Sequence, residues 1–176
     1  MDGPMPDFHF KLMFLDYKFR DFFSPPGRVL KDAGIKPGFH VLDYGCGPGS
    51  YITATAQLVG ESGRVYALDI HPLAIQSVQR IASRGHLTHV ETIHSDCRTG
   101  LPDYSMDVVL LYDTFHDLSD PDGVLKKLHR VLKPGGILSF SDHHMKENEI
   151  ASMVTGSGLF KLSKKRGRTR TFLRVE

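Results

Sequence analysis

The chain has 176 residues, 40% hydrophobic and 24% charged, with a formal net charge of +2, a composition that suits one soluble domain and falls short of two of ordinary size. It holds neither a run of 18 apolar residues nor a signal-peptide hydrophobic stretch, so neither a membrane span nor a secretory leader is expected. Its two cysteines, Cys46 and Cys97, fit no CxxC or Cys/His spacing, and a reduced, cytoplasmic setting with structural thiols is expected.

The charge is uneven. Lys161 to Arg174 carries seven basic and no acidic residues, leaving the rest of the chain at −5. Such a stretch suits an anionic partner such as RNA. However, Arg168, Arg170 and Arg174 recur at spacings of two and four, which reads as the solvated or edge-guarding face of a strand.

In chain order, the aromatic stretch Phe8 to Phe23 precedes Ser24-Pro25-Pro26-Gly27 and predicts a helix, either lying over a cleft as a lid or packed on a sheet; residues 1–36 form this cap. Phe39 to Tyr44 predicts a buried strand. Ser50 is positioned to cap a helix presenting Ile52, Ala56 and Val59. Gly63 to Ile70 reads as a second strand, followed by a helix that Pro72 starts and that presents Ile75, Val78 and Ala82. His89 to His94 is a third strand. The run Val108 to Tyr112 is a fourth, apolar on both faces as in a parallel sheet. A helix from Asp120-Pro121 buries Val124, Leu125, Leu128, Val131 and Leu132 and stops at Lys133-Pro134-Gly135-Gly136, and Ile137 to Ser141 is the fifth strand. Residues 37–142 thus form a core, and 143–176 a last helix, Glu147 to Thr155, and two runs, Leu159 to Lys164 and Arg170 to Val175. The connection between these runs is too short for a parallel crossover, so they pair antiparallel if they pair at all. The pattern is a single-domain doubly wound α/β sheet with an antiparallel edge.

The segment Asp43-Tyr44-Gly45-Cys46-Gly47-Pro48-Gly49 must turn from strand to helix, and its glycines allow both the turn and the close approach of a ligand. A helix N-terminus then faces that ligand, which suits a phosphate or a carboxylate. Asp69, at the end of the second strand, is placed to accept from two ribose hydroxyls, or else to cap a turn. Asp96, at the end of the third, is placed to accept from an adenine amino group, or else to form an Asx-turn. Loop spacing alone does not choose between a dinucleotide and another nucleoside cofactor.

VLDYGCGPG, VYALDI, SDCRTGLPDYSMDVVLL and VLKPGGILSF, in this order, resemble the motifs of class I S-adenosylmethionine-dependent methyltransferases, in the small-molecule group that includes ubiquinone/menaquinone C-methyltransferases. The resemblance spans about residues 37–142. It implies a Rossmann-like, seven-stranded, mostly parallel sheet with an antiparallel C-terminal strand. It also implies that Asp43 and the backbone of Gly45, Gly47 and Gly49 hold the methionine moiety of S-adenosyl-L-methionine, Asp69 the ribose, and Asp96 with the Cys97 amide the adenine, with Tyr112 beside the methionine end. The chain departs from the family in its short link between fifth strand and hairpin, which leaves substrate selection to the N-terminal aromatic segment and a few loops.

The cofactor's sulfonium already activates the methyl group, so the protein's work is in-line positioning and exclusion of water. An acceptor that must lose a proton gains from a base, and histidine suits that near neutrality. His116 is the preferred candidate, with Asp113 and His143 behind it, all at the carboxyl end of the sheet. Asp113, Asp142 and His143 loosely resemble the magnesium site of catechol-type O-methyltransferases, but a histidine where oxygen is preferred favours a metal-free pocket. The expected reaction is methylation of a small molecule through an O-, C- or N-nucleophile. Competing readings are an NAD-dependent oxidoreductase, an RNA or protein methyltransferase using the basic hairpin, and a non-catalytic cofactor-binding subunit. The Asn/Asp-Pro-Pro-aromatic tetrad of base-amine methyltransferases is absent after the fourth strand, which disfavours nucleic acid.

Overall fold

The computed structural model describes Pro6, Phe8 and residues 26–176. Apart from Phe8, the aromatic segment expected to form a lid lies outside these residues. The elements are α1 (Pro26–Leu30), β1 (His40–Tyr44), α2 (Ile52–Val59), β2 (Arg64–Asp69), α3 (Pro72–Arg84), β3 (Val90–His94), β4 (Met106–Tyr112), α4 (Pro121–Val131), β5 (Leu132–Ser141), α5 (Glu147–Gly156), β6 (Phe160–Arg166) and β7 (Thr169–Arg174).

They build one seven-stranded sheet in the order β3-β2-β1-β4-β5-β7-β6. The pairings from β3 to β5 are all parallel, while β7 runs antiparallel to both β5 and β6. The antiparallel strand therefore lies inside the hairpin end of the sheet, and β6 forms the edge.

The uniform hydrophobicity of β4 follows from this placement. Val108, Leu110 and Tyr112 face a core shared with Ile52, Ala56, Val59 and Val78. Val109 and Leu111 face the opposite core, with Val124, Leu125, Leu128 and Phe140. With helices over both faces, a central strand has no polar side to show. Each fully buried Val or Leu contributes about 1.5–3 kcal/mol.

Local signals set several boundaries and miss others. Pro72 opens α3, where the His71 ring accepts from the Leu73 amide, and Asp120 caps α4 by accepting from Gly123. Ser50 does not cap α2: the flanking residue is Tyr51, in helical conformation and without a side-chain cap. The chain is still turning out of the glycine loop there, with the Ile52 amide donating to the Gly49 carbonyl. The Lys133–Gly136 stretch does not merely stop α4. The helix has already ended at Val131, and these residues bulge within β5, whose register on β4 jumps from Met106↔Leu132 to Val108↔Ile137.

The sheet order reverses between β1 and β4, because β2 and β3 continue to one side of β1 while β4 returns to the other. In open α/β sheets the crevice outside the carboxyl ends of such strands receives ligands. The loops after β1, β4 and β5 meet there.

Candidate active site

The glycine loop leaves β1 with the Gly45 and Cys46 amides both donating to the Leu68 carbonyl, which ties it to β2. Gly45 has φ +76°, and a Cβ there would lie 2.3 Å from Oγ1 of Thr114. The loop thus presses against the segment that follows β4, and only glycine fits both the backbone and the contact. At Gly47 the space a Cβ would fill is open, so a ligand can reach the main chain.

The Gly47 amide donates to Oδ2 of Asp69 at 2.8 Å, and the His71 amide to Oδ1 at the same distance. Asp69 therefore braces the turn between two loops, and the remaining lone pairs of its oxygens stay available to hydroxyl donors. Burial raises its pKa, against the pull of these amides.

Asp43 is almost fully buried, and its Oδ2 has no hydrogen-bond partner among the described residues. Burial first, and the nearby Asp69 second, push its carboxyl up to about 7. A cationic group beside Oδ2 would relieve both effects. S-adenosylmethionine, with an α-amino group and a sulfonium, meets that requirement. The diphosphate of a dinucleotide would instead face one buried and one half-buried carboxyl, so the residues fit the sulfonium nucleoside better than NAD.

Asp96 stands exposed after β3, and its Oδ1 receives Nε of Arg98 at 3.3 Å. That hydrogen bond, and the guanidinium charge with it, hold its carboxyl below the usual range. Cys97 follows with φ +76° and packs against the core that contains Tyr44 and Leu68. Tyr112 is buried, its hydroxyl 2.7 Å from Oγ of Ser139 and its ring edge-on to Tyr51 at 4.8 Å.

The loops after β4 and β5 are joined by two crossed clasps. Oδ1 of Asp113, after β4, accepts both the backbone N–H of His143 at 3.0 Å and its Nδ1 at 2.6 Å. Oδ2 of Asp142, after β5, accepts the backbone N–H of His116 at 3.2 Å and its Nδ1 at 2.8 Å. Asp142 also receives the His144 amide at Oδ1. The His144 ring lies between the other two, with centroids 4.3 Å from His116 and 4.1 Å from His143. Asp113 takes this position with φ +50°, an uncommon conformation for a residue with a side chain.

The three sequence candidates His116, Asp113 and His143 thus come together, but His116 is held by Asp142 rather than Asp113. Asp113, Asp142 and His143 do not converge as a magnesium set: among the described residues no group of three His, Cys, Asp or Glu side chains is arranged to hold a metal ion. Sequence reasoning missed His144 and Thr114. The adjacent Asp142-His143-His144 after a strand was a usable signal for the first, whereas the contact of Thr114 with Gly45 has none.

A buried cation-seeking carboxylate beside a glycine loop, at the switch point of a doubly wound sheet, defines a nucleoside-cofactor domain of the methyltransferase type. The chain belongs to the family of class I S-adenosylmethionine-dependent methyltransferases, its residues 35–168 matching the family model described as "Methyltransferase domain". It is 28% identical over 127 residues to the ubiquinone/menaquinone biosynthesis C-methyltransferase of Pseudoalteromonas translucida, covering 71% of this chain and 51% of that protein. It is 35% identical over 111 residues to the demethylmenaquinone methyltransferase of Geobacillus stearothermophilus, covering 62% and 47%. The chain therefore spans about half the length of these curated relatives. Among solved structures, a SAM dependent methyltransferase from Aquifex aeolicus superposes with a TM-score of 0.74 at 28% identity, covering 85% of this chain and 87% of that one. No helix among the described residues is long and apolar enough to cross a membrane.

Proposed function

We propose that the protein transfers a methyl group from S-adenosylmethionine to a small-molecule acceptor, with the cofactor on the glycine loop and the acceptor over the Asp–His clasps. The observation that carries this reading is the orphaned, buried Oδ2 of Asp43 beside an open Gly47, a cradle that asks for a cation. Asp43 and the backbone of Gly45, Gly47 and Gly49 would hold the methionine end, Asp69 the ribose, and Asp96 with the Cys97 amide the adenine, with Tyr112 walling the cradle. When bound, the cofactor supplies an electrophilic methyl group on a positively charged sulfur.

The protein's part is to orient the two partners, exclude water and hold a base for an acceptor that must lose a proton. Asp113, His116 and His143 are the residues available for this, and the quinone-biosynthesis names of the relatives make a demethylated quinol a reasonable first acceptor to assay. The reading takes the protein to be a cytoplasmic enzyme that needs no metal.

Calorimetry with S-adenosylhomocysteine tests the cofactor half. The wild-type chain is expected to bind, and Asp69→Ala to bind more than tenfold more weakly, since the change frees the Gly47 amide and leaves ribose hydroxyls unpaired. Unchanged affinity in the variant, or tighter binding of NAD, would sink the assignment. Tight cofactor binding without methylation of demethylmenaquinol or of any fraction of a metabolite extract would favour the cofactor-binding subunit instead.

A further inference from the structure

The two clasps look alike, but the second nitrogen of each ring meets different surroundings. His116 has a carboxylate on both sides: Asp142 at Nδ1, 2.8 Å away, and Asp117 facing Nε2 at 3.5 Å. Any acceptor approaching Nε2 of His116 would meet the Asp117 carboxylate, which competes for the proton and repels a developing anion. The His143 ring has only Asp113 as hydrogen-bond partner, at Nδ1, and Nε2 takes no hydrogen bond among the described residues. A carboxylate only accepts, so the bond at 2.6 Å puts the ring proton of neutral His143 on Nδ1 and leaves the lone pair on Nε2.

We propose that His143, oriented by Asp113, is the residue that takes the acceptor's proton, and that His116, fixed by Asp142 and stacked on His144, only positions the clasp. This rests on the methyltransferase reading above and extends it to an acceptor activated by loss of a hydroxyl proton, such as a quinol. Nε2 of His143 takes that proton as the O–H bond breaks. The oxygen's electron pair moves into the C–O bond, and a ring π pair forms the bond from the ring carbon to the methyl carbon as the carbon–sulfur pair returns to sulfur. The ring carbon then loses its own proton to solvent, its C–H pair restoring the aromatic ring, and the imidazolium gives its proton to solvent. Asp113 supports the ring as carboxylates support catalytic histidines in other enzymes, by fixing tautomer and orientation. Its left-handed backbone aims the carboxylate across to the neighbouring loop.

The test begins with the full chain free of ligand. Nitrogen-15 NMR of the histidine rings above their titration range is expected to show His143 in the Nδ1–H tautomer, and Asp113→Asn to shift it toward Nε2–H. An Nε2–H tautomer for wild-type His143 would overturn the proposal, whatever the enzyme turns over. With demethylmenaquinol as probe, His143→Gln is expected to lower kcat by about 100-fold or more while leaving S-adenosylhomocysteine affinity unchanged. His116→Gln is expected to cost less than tenfold. The reverse order of the two variants would reassign the base to His116. If the wild-type chain binds no S-adenosylhomocysteine, the functional reading fails and this proposal with it, whereas an Nε2–H tautomer in a chain that does bind overturns the His143 assignment alone.

Discussion

The buried carboxyl of Asp43 under the glycine loop gives the protein a specific dependence on pH. Asp43 titrates at about 7 in the folded chain, against about 3.9 for an unperturbed aspartate. Between those values the native state holds a proton that the unfolded state has lost, so unfolding releases a proton and stability falls as pH rises. The contribution is fully present below about pH 4, declines by up to ~1.4 kcal/mol per pH unit, and is gone above pH 7. Asp43→Asn keeps the shape and removes the titration. Urea unfolding between pH 4.5 and 7.5 is therefore expected to show the variant gaining on wild type as pH rises, and parallel curves would contradict the burial argument. The same variant should bind S-adenosylmethionine less well, since a neutral amide does not answer a cation.

At the scale of elements, the hairpin shows what parity can and cannot tell. Arg168, Arg170 and Arg174 suggest an exposed basic face, yet Arg170 is 3% exposed, and its Nη1 donates to the Gly167 and Thr169 carbonyls. Arg174 also turns inward, with Nε donating to the His129 carbonyl and its guanidinium over the Tyr104 ring. The clue was in the sequence, because Phe172 shares the parity of both arginines and lies fully buried. What the spacing did not reveal was that β7 is paired on both sides, so it has no open edge to guard. Arg170→Ala should cost about 1.5–3 kcal/mol by breaking charge-assisted bonds that hold the β6–β7 turn, whereas Arg168→Ala, in the turn itself, should change stability by less than about 0.5 kcal/mol. Equal effects in chemical denaturation would refute the distinction. The strand–helix alternation from β1 to β5 was legible, since the helices carry an apolar stripe and β4 a short continuous apolar run. The end of α4 was not, because the Lys133–Gly136 bulge depends on register with β4 rather than on any local stop signal.

Over the whole molecule, the crevice follows from strand order, and the direction of neighbouring strands follows from the lengths of the connections. The proposed cofactor half of the site could accordingly be read as a linear series of motifs, with Asp43 and Gly45 to Gly49 at the end of β1, Asp69 at the end of β2 and Asp96 after β3. The Asp–His half could not. Its partners stand 26 and 30 residues apart, and nothing in the sequence says that each carboxylate reaches across to the opposite loop rather than to its own.

That crossing also bears on motion. The backbone amides of His116, His143 and His144 are all held by carboxylates, two of them rooted in the opposite loop, so neither loop can lift without stripping the other. Hydrogen exchange should therefore find these three amides opening together, with one shared protection factor that falls at all three sites when either Asp113 or Asp142 is replaced by asparagine. Independent exchange rates would mean two separate hinges. A shared rate would make the floor of the crevice a single cooperative unit, with the loops after β4 and β5 opening in one event.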